Sequence, residues 1–128
     1  MQTAVTSLSQ PMIIEMTRFR VRAGAEERVS EWMNFLRSNP EAFRETLEPE
    51  QMYVETIFSE VSDNVMYLYW YSVQGEDRRS VLESEHWLDA KHLKFWRECM
   101  DTDFPPEDLT PEVHVTPARV EVAMRPCD

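Results

Sequence analysis

From Met12 to Ala23 the chain sets Thr17, Phe19 and Val21 against Met16, Arg18, Arg20 and Arg22, the period-two pattern of a strand whose faces differ. Gly24 ends that run. Beyond it Ala25, Val29, Trp32 and Leu36 recur at spacings of four, three and four, so they share one helical stripe, with Met33 beside it, while Glu26, Glu27, Arg28 and Glu31 face water. Asn39-Pro40-Glu41 reads as the start of a second, short helix that Glu48-Pro49 closes. Tyr53 to Val61 and Val65 to Val73 are two more strands, joined at Ser62-Asp63-Asn64 in a hairpin, because Asp and Asn tolerate the backbone of a tight turn. Within the second of these strands, Val65-Met66-Tyr67-Leu68-Tyr69-Trp70-Tyr71 shows no polar alternation, which predicts cover on both of its faces.

A helical region is expected from Asp77 to about Met100, with Leu88, His92, Phe95 and Cys99 on a buried stripe and a break near Glu83 to His86. Residues 101 to 116 form an acidic loop stiffened by Pro105, Pro106 and Pro111, and Pro117 opens an expected last strand from Ala118 to Met124. Residues 1 to 11 read as a polar lead-in, and 12 to 128 as a single domain. Strand, helix pair, hairpin, helix and strand is the order of an α+β ferredoxin-like sandwich, with an antiparallel four-stranded sheet in the order 4-1-3-2. Its helices all lie on one face. The aromatic third strand then needs a second cover, and a two-fold homodimer packing sheet against sheet, a dimeric α+β barrel, supplies it.

Composition narrows the partners. The chain has 24 acidic and 13 basic residues in 128, a net charge of −11, which disfavours nucleic acid and anionic membranes. With only Gly24 and Gly75, no glycine-rich phosphate loop can form. The two cysteines, Cys99 and Cys127, make no disulfide framework, and neither a signal segment nor a long apolar span stands out, so a cytoplasmic location is expected.

The run from Thr17 to Gly24, the strands Met52 to Phe58 and Tyr67 to Tyr71, and above all Ser84 to Cys99, with His86, Asp89, His92, Phe95 and Cys99, resemble an uncharacterised family of small bacterial proteins among the dimeric α+β barrels. The resemblance covers roughly residues 13 to 100, and the segment after Met100 reads as an extension of it. It implies a fold and no established reaction. The class is also distantly similar to antibiotic-biosynthesis monooxygenases and haem-degrading enzymes, but a shared fold does not carry a function with it.

The candidate ligand-binding residues are Glu55, His86, Asp89, His92, Tyr69 and Trp70. His86 and His92 stand roughly 9 Å apart along an unbroken helix and about 120° around it, which keeps both from one ion; a break near Trp87 could realign them with Asp89, but two such ligands fall short of a closed site, and no metal or cofactor is expected. Their plain alternatives are a helix-start residue for His86 and a hydrogen-bonded core residue for His92. Glu55, on a strand, is a buried carboxyl of raised pKa and a possible general base if it faces the interior, or else an ion-pair partner for Arg18, Arg20 or Arg22. Two functions fit these residues. One is a module that holds a small apolar or anionic metabolite. The other is a cofactor-independent monooxygenase or isomerase acting on an aromatic or quinoid substrate, so whether the protein is an enzyme stays open.

Overall fold

The computed structural model describes residues 12–75 and 84–124. Its elements are β1 (Met12–Arg20), α1 (Glu26–Ser38), α2 (Pro40–Leu47), β2 (Met52–Ser62), β3 (Val65–Gly75), α3 (Trp87–Cys99), β4 (Glu107–Leu109) and α4 (Ala118–Ala123). The sheet is antiparallel throughout and runs β2-β3-β1-β4, the expected order. Register fixes the two faces. Phe19 lies opposite Leu68 and Thr17 opposite Trp70, and Ile57 in turn faces Trp70 from β2. These residues look toward the helices, whereas Arg18 opposite Tyr69 and Phe58 opposite Tyr69 mark the other face.

The turn at Asp63 and Asn64 takes φ values of 51° and 64°, the left-handed conformation that the hairpin required. Gly24 enters α1 with φ at 89°, a conformation that strains any side chain. At the far end of β3, a Cβ on Gly75 would lie 2.2 Å from Gln51 Oε1, so that strand end closes against the turn before β2. Asn39 ends α1 instead of capping α2: its Nδ2 donates to the Phe35 carbonyl at 2.7 Å, and no side chain caps the following helix.

The core fills the space between sheet and helices. Val29, Trp32 and Leu36 of α1 meet Leu88, Phe95 and Cys99 of α3 over Leu68, with Phe19, Trp70 and Trp96 packed around them. Burying each large apolar side chain contributes roughly 1.5–3 kcal/mol. Trp32, fully buried, is the hub: its ring stacks on Phe95 at 6.1 Å and meets Trp70 at 5.6 Å. Outside the core, Arg28 of α1 reaches Glu98 of α3 at 2.8 Å. The start of α1 is held in turn by Arg22 N–H donating to the Cys99 carbonyl.

The end of the chain departs from expectation. Ala118 to Ala123 is a short helix, and the edge strand is Glu107–Leu109, inside the segment expected to be a loop. Proline is favoured at a helix start as well as at a strand edge, and Ala118, Arg119 and Glu121 are better helix formers than strand formers, so the Val120 and Val122 alternation misled. Strand β4 carries no apolar alternation because polar pairs hold it: Thr17 donates to Asp108 at 2.8 Å and Arg18 pairs with Glu107. The expected helix from Asp77 is confirmed only from Trp87, with Ser84 to His86 non-helical, and residues 76–83 lie outside the described part, as do Cys127 and the lead-in.

The face of the sheet away from the helices is partly covered by the chain itself. Met12 and Ile14 border a shallow hollow whose other side is His114, Val115, Thr116 and Glu121, so the C-terminal segment crosses that end of the face. The rest, with Phe58 and the half-buried Tyr67, Tyr69 and Tyr71, stays accessible.

Candidate functional site

The strand residues that continue the helix-facing phase of β3 beyond Trp70 are polar: Ser72 and Gln74, both buried. Glu15 of β1 and Glu55 of β2 flank Ser72 in register. Gln74 donates through Nε2 to Ser72 Oγ at 2.6 Å and to the Glu15 carboxylate. The apolar core therefore gives way, toward this end of the sheet, to a polar layer. Across from it, Asp89 and His92 come down from α3, and Glu50 enters from the turn that links α2 to β2.

Three of these four carboxyl groups, Glu50, Glu55 and Asp89, thus share one poorly solvated region. Burial raises the Glu55 pKa from 4.5 to about 7, against the pull of the Trp70 indole N–H and with help from the Asp89 charge. Glu50 is driven well above the usual carboxylate range, first by burial and then by the charges of Asp89 and Glu55. Asp89 is 3% exposed and Gln74 4%, and among the described residues Asp89 Oδ2 and Gln74 Oε1 have no hydrogen-bond partner. Among the described residues, none of the ion pairs includes Glu50, Glu55 or Asp89.

His92 is held neutral. Burial lowers its pKa to about 4 in spite of the Asp89 charge. Trp32 Nε1 donates to His92 Nδ1 at 3.0 Å, which assigns the remaining imidazole proton to Nε2. His86 does separate work. It caps α3, Nδ1 accepting from Leu88 N–H at 3.1 Å, while Nε2 lies 2.8 Å from Glu45 Oε1. Glu45 is exposed, so that side of the ring lies toward the surface.

Of the six residues singled out from sequence, the structure brings Glu55, Asp89, His92 and Trp70 to one interior. Tyr69 points to the opposite face, where its hydroxyl donates to Glu60 at 2.6 Å. The ion-pair alternative for Glu55 fails, since Arg18 pairs with Glu107 and Arg20 stacks on Phe104, 3.8 Å from the ring centre, both on the far side of the sheet, and Arg22 donates to the Met100 carbonyl. Sequence reasoning missed Glu50, Glu15 and Gln74. The last two are legible by counting alternate residues from Thr17 and Trp70; Glu50, in a turn after Pro49, carries no periodic signal.

Glu55 also opens outward. Between α1, α2 and β2 lies a cleft of about 410 Å³, lined by Met33, Leu36, Phe43, Leu47 and Ile57, with Arg37 and Arg44 at its wall and Glu55 and Thr56 on the strand side. That volume suits a small metabolite.

Fold and site define a ferredoxin-like α+β protein with a carboxyl-rich interior between sheet and helices, one member of which, Glu55, also lines an apolar cleft. The chain matches the Family of unknown function (DUF6176) over residues 12–122 and belongs to it. The match continues through β4 and into α4, so the segment after Met100 is part of the family pattern and not an addition to it. No curated protein and no solved structure matched the chain. No helix among the described residues is long and apolar enough to cross a membrane.

Proposed function

We propose that this protein binds a small molecule in the cleft between α1, α2 and β2, with Glu55 as the polar contact at its inner wall. The supporting observation is that a largely buried carboxyl, without a cationic partner among the described residues, borders a metabolite-sized apolar cleft. A structural carboxylate is normally paired, because an unpaired buried charge is costly. A thermal-shift screen of metabolites tests the reading. Ligand at 100 times its dissociation constant adds about 2.7 kcal/mol of stability. Hits should raise the melting temperature of the native protein and lose that effect in Met33→Trp, whose ring fills the cleft. Hits that act equally on both proteins place binding elsewhere.

One observation favours the isomerase alternative. A carboxyl that titrates at about 7 is suited to take and return a proton near neutral pH. Turnover of a hit compound, with solvent deuterium entering the product, would move the reading from binding to catalysis.

The protein is further proposed to work as a homodimer through the accessible face of the sheet. Phe58 is 51% exposed there, beside three half-buried tyrosines, and Arg18 and Arg20 relieve on this face the repulsion that two chains of charge −11 would otherwise feel. Sedimentation at micromolar concentration should give a dimer that Phe58→Asp dissociates. A monomeric native protein would end this part of the proposal.

A further inference from the structure

The polar interior is one-sided. Facing it are Glu15 from β1, Glu55 from β2, Ser72 and Gln74 from β3, Glu50 from the turn before β2, and Asp89 and His92 from α3. Most donors already have work: Gln74 Nε2 serves Ser72 and Glu15, the Trp32 indole serves His92, the Trp70 indole serves Glu55, and the proton that Glu50 holds is directed at Asp89, which leaves the His92 Nε2–H. Among the described residues two buried acceptors remain without a partner, Asp89 Oδ2 and Gln74 Oε1, on different elements and each more than nine-tenths buried. A buried acceptor left without a partner forfeits its hydrogen bonds to water and gains none in return. Among the described residues, oxygen acceptors outnumber the N–H donors of this site.

We propose that the ligand of this site is a small organic cation, an ammonium or amidinium head on an apolar tail. This deepens the reading given above and rests on it. An ammonium carries three donors and no acceptor, and an amidinium carries donors in a planar fork, so either matches a lining of carboxyl and amide oxygens. The apolar tail lies in the cleft along Met33, Leu36, Phe43 and Ile57, with the head inside Glu55. A bare metal ion needs its oxygens drawn to roughly 2.0–2.6 Å from one point, and among the described residues no three His, Cys, Asp or Glu side chains are placed to hold one. An organic head spreads its hydrogen bonds over a wider shell of about 2.7–3.2 Å contacts. The net charge of −11 favours approach of a cation, and Arg37 and Arg44, which donate to Asn34 and Glu41, sit beside the tail and not the head.

Binding a cation stabilises the ionised carboxylates, so it expels a proton. With Glu55 titrating at about 7 and Glu50 higher, affinity should increase about tenfold between pH 6 and pH 8. His92, neutral across that range, adds no opposing change.

The test is calorimetric titration of the native protein with hexylammonium, hexanol and hexanoate, which share one tail and differ in the head. The ammonium should bind at least about tenfold tighter than the alcohol, a difference of about 1.4 kcal/mol, with proton release and with a loss of about tenfold in Glu55→Gln. Hexanol or hexanoate binding as tightly as the ammonium would overturn the cationic assignment and leave the small-molecule site standing. No heat from any of the three, together with no hit confined to the native cleft in the thermal-shift screen, would overturn both.

Discussion

Replacing Glu55 with Gln should stabilise the protein at alkaline pH and leave it nearly unchanged in acid. The folded state holds the Glu55 proton up to about pH 7, whereas an unfolded carboxyl releases it near 4.5. Between those values the native chain binds more protons than the unfolded chain, so this group's contribution is complete below pH 4.5 and is lost as pH rises through 7. A separation of that size corresponds to about 3 kcal/mol. Glutamine imitates the protonated carboxyl at every pH. The stability difference between variant and native protein should therefore be near zero at pH 4.5 and approach about 3 kcal/mol in favour of the variant by pH 8, or about 4 °C in melting temperature per kcal/mol at this chain length. Removing the Glu55 charge also eases ionisation of Glu50, which acts in the same direction. His92 works the other way: its pKa of about 4 lies below the ordinary 6.5, so its contribution is gained as pH rises from 4 to 6.5. Native stability alone mixes the His92 gain with the losses from Glu50 and Glu55 across mild acid, and the comparison with the variant brings out Glu55. Urea unfolding of both proteins across the pH range is the assay. A difference that does not change with pH would refute a buried, unpaired Glu55.

Three further outcomes follow from the geometry. His92→Phe leaves the Trp32 indole N–H without an acceptor and should cost about 1–3 kcal/mol in chemical denaturation, and His92→Gln, which retains an acceptor, should recover part of it. Cys99, fully buried with its thiol pushed up to about 11, should react with a thiol reagent only after unfolding, which a stopped-flow thiol count with and without denaturant would show. Asp108→Ala removes an exposed partner of Thr17 and should change global stability by no more than about 1 kcal/mol, while backbone amides of Glu107–Leu109 exchange faster.

The fold was legible where burial imposed a period. Val29, Trp32 and Leu36 all enter the core, and Asp63 with Asn64 makes the turn that their chemistry allows. It was not legible at β4, because that strand is held by Arg18 and Thr17 through side chains that leave no hydrophobic pattern, and at α4, where six residues are too few for a period to decide. The site divides in the same way. Glu55 could be named because a carboxylate on an otherwise apolar strand face stands out, and Asp89 because it stands three residues from each of His86 and His92. Their separation from Tyr69, and the side of the sheet taken by Arg18 and Arg20, depended on strand phase, which β1 and β3 reveal only when paired. Glu50 joins the cluster through a turn, where proximity depends on the path of the backbone and not on spacing.

The central claim is that carboxyl groups between sheet and helices are buried without cationic partners. Carbon-detected magnetic resonance of the glutamate side chains, followed through a pH titration of the unliganded protein, measures this at each residue. Glu55 should titrate near 7, with Glu50 also well above 4.5. If both titrate at or below 4.5, the cluster is solvated or paired, and the account of the site is wrong.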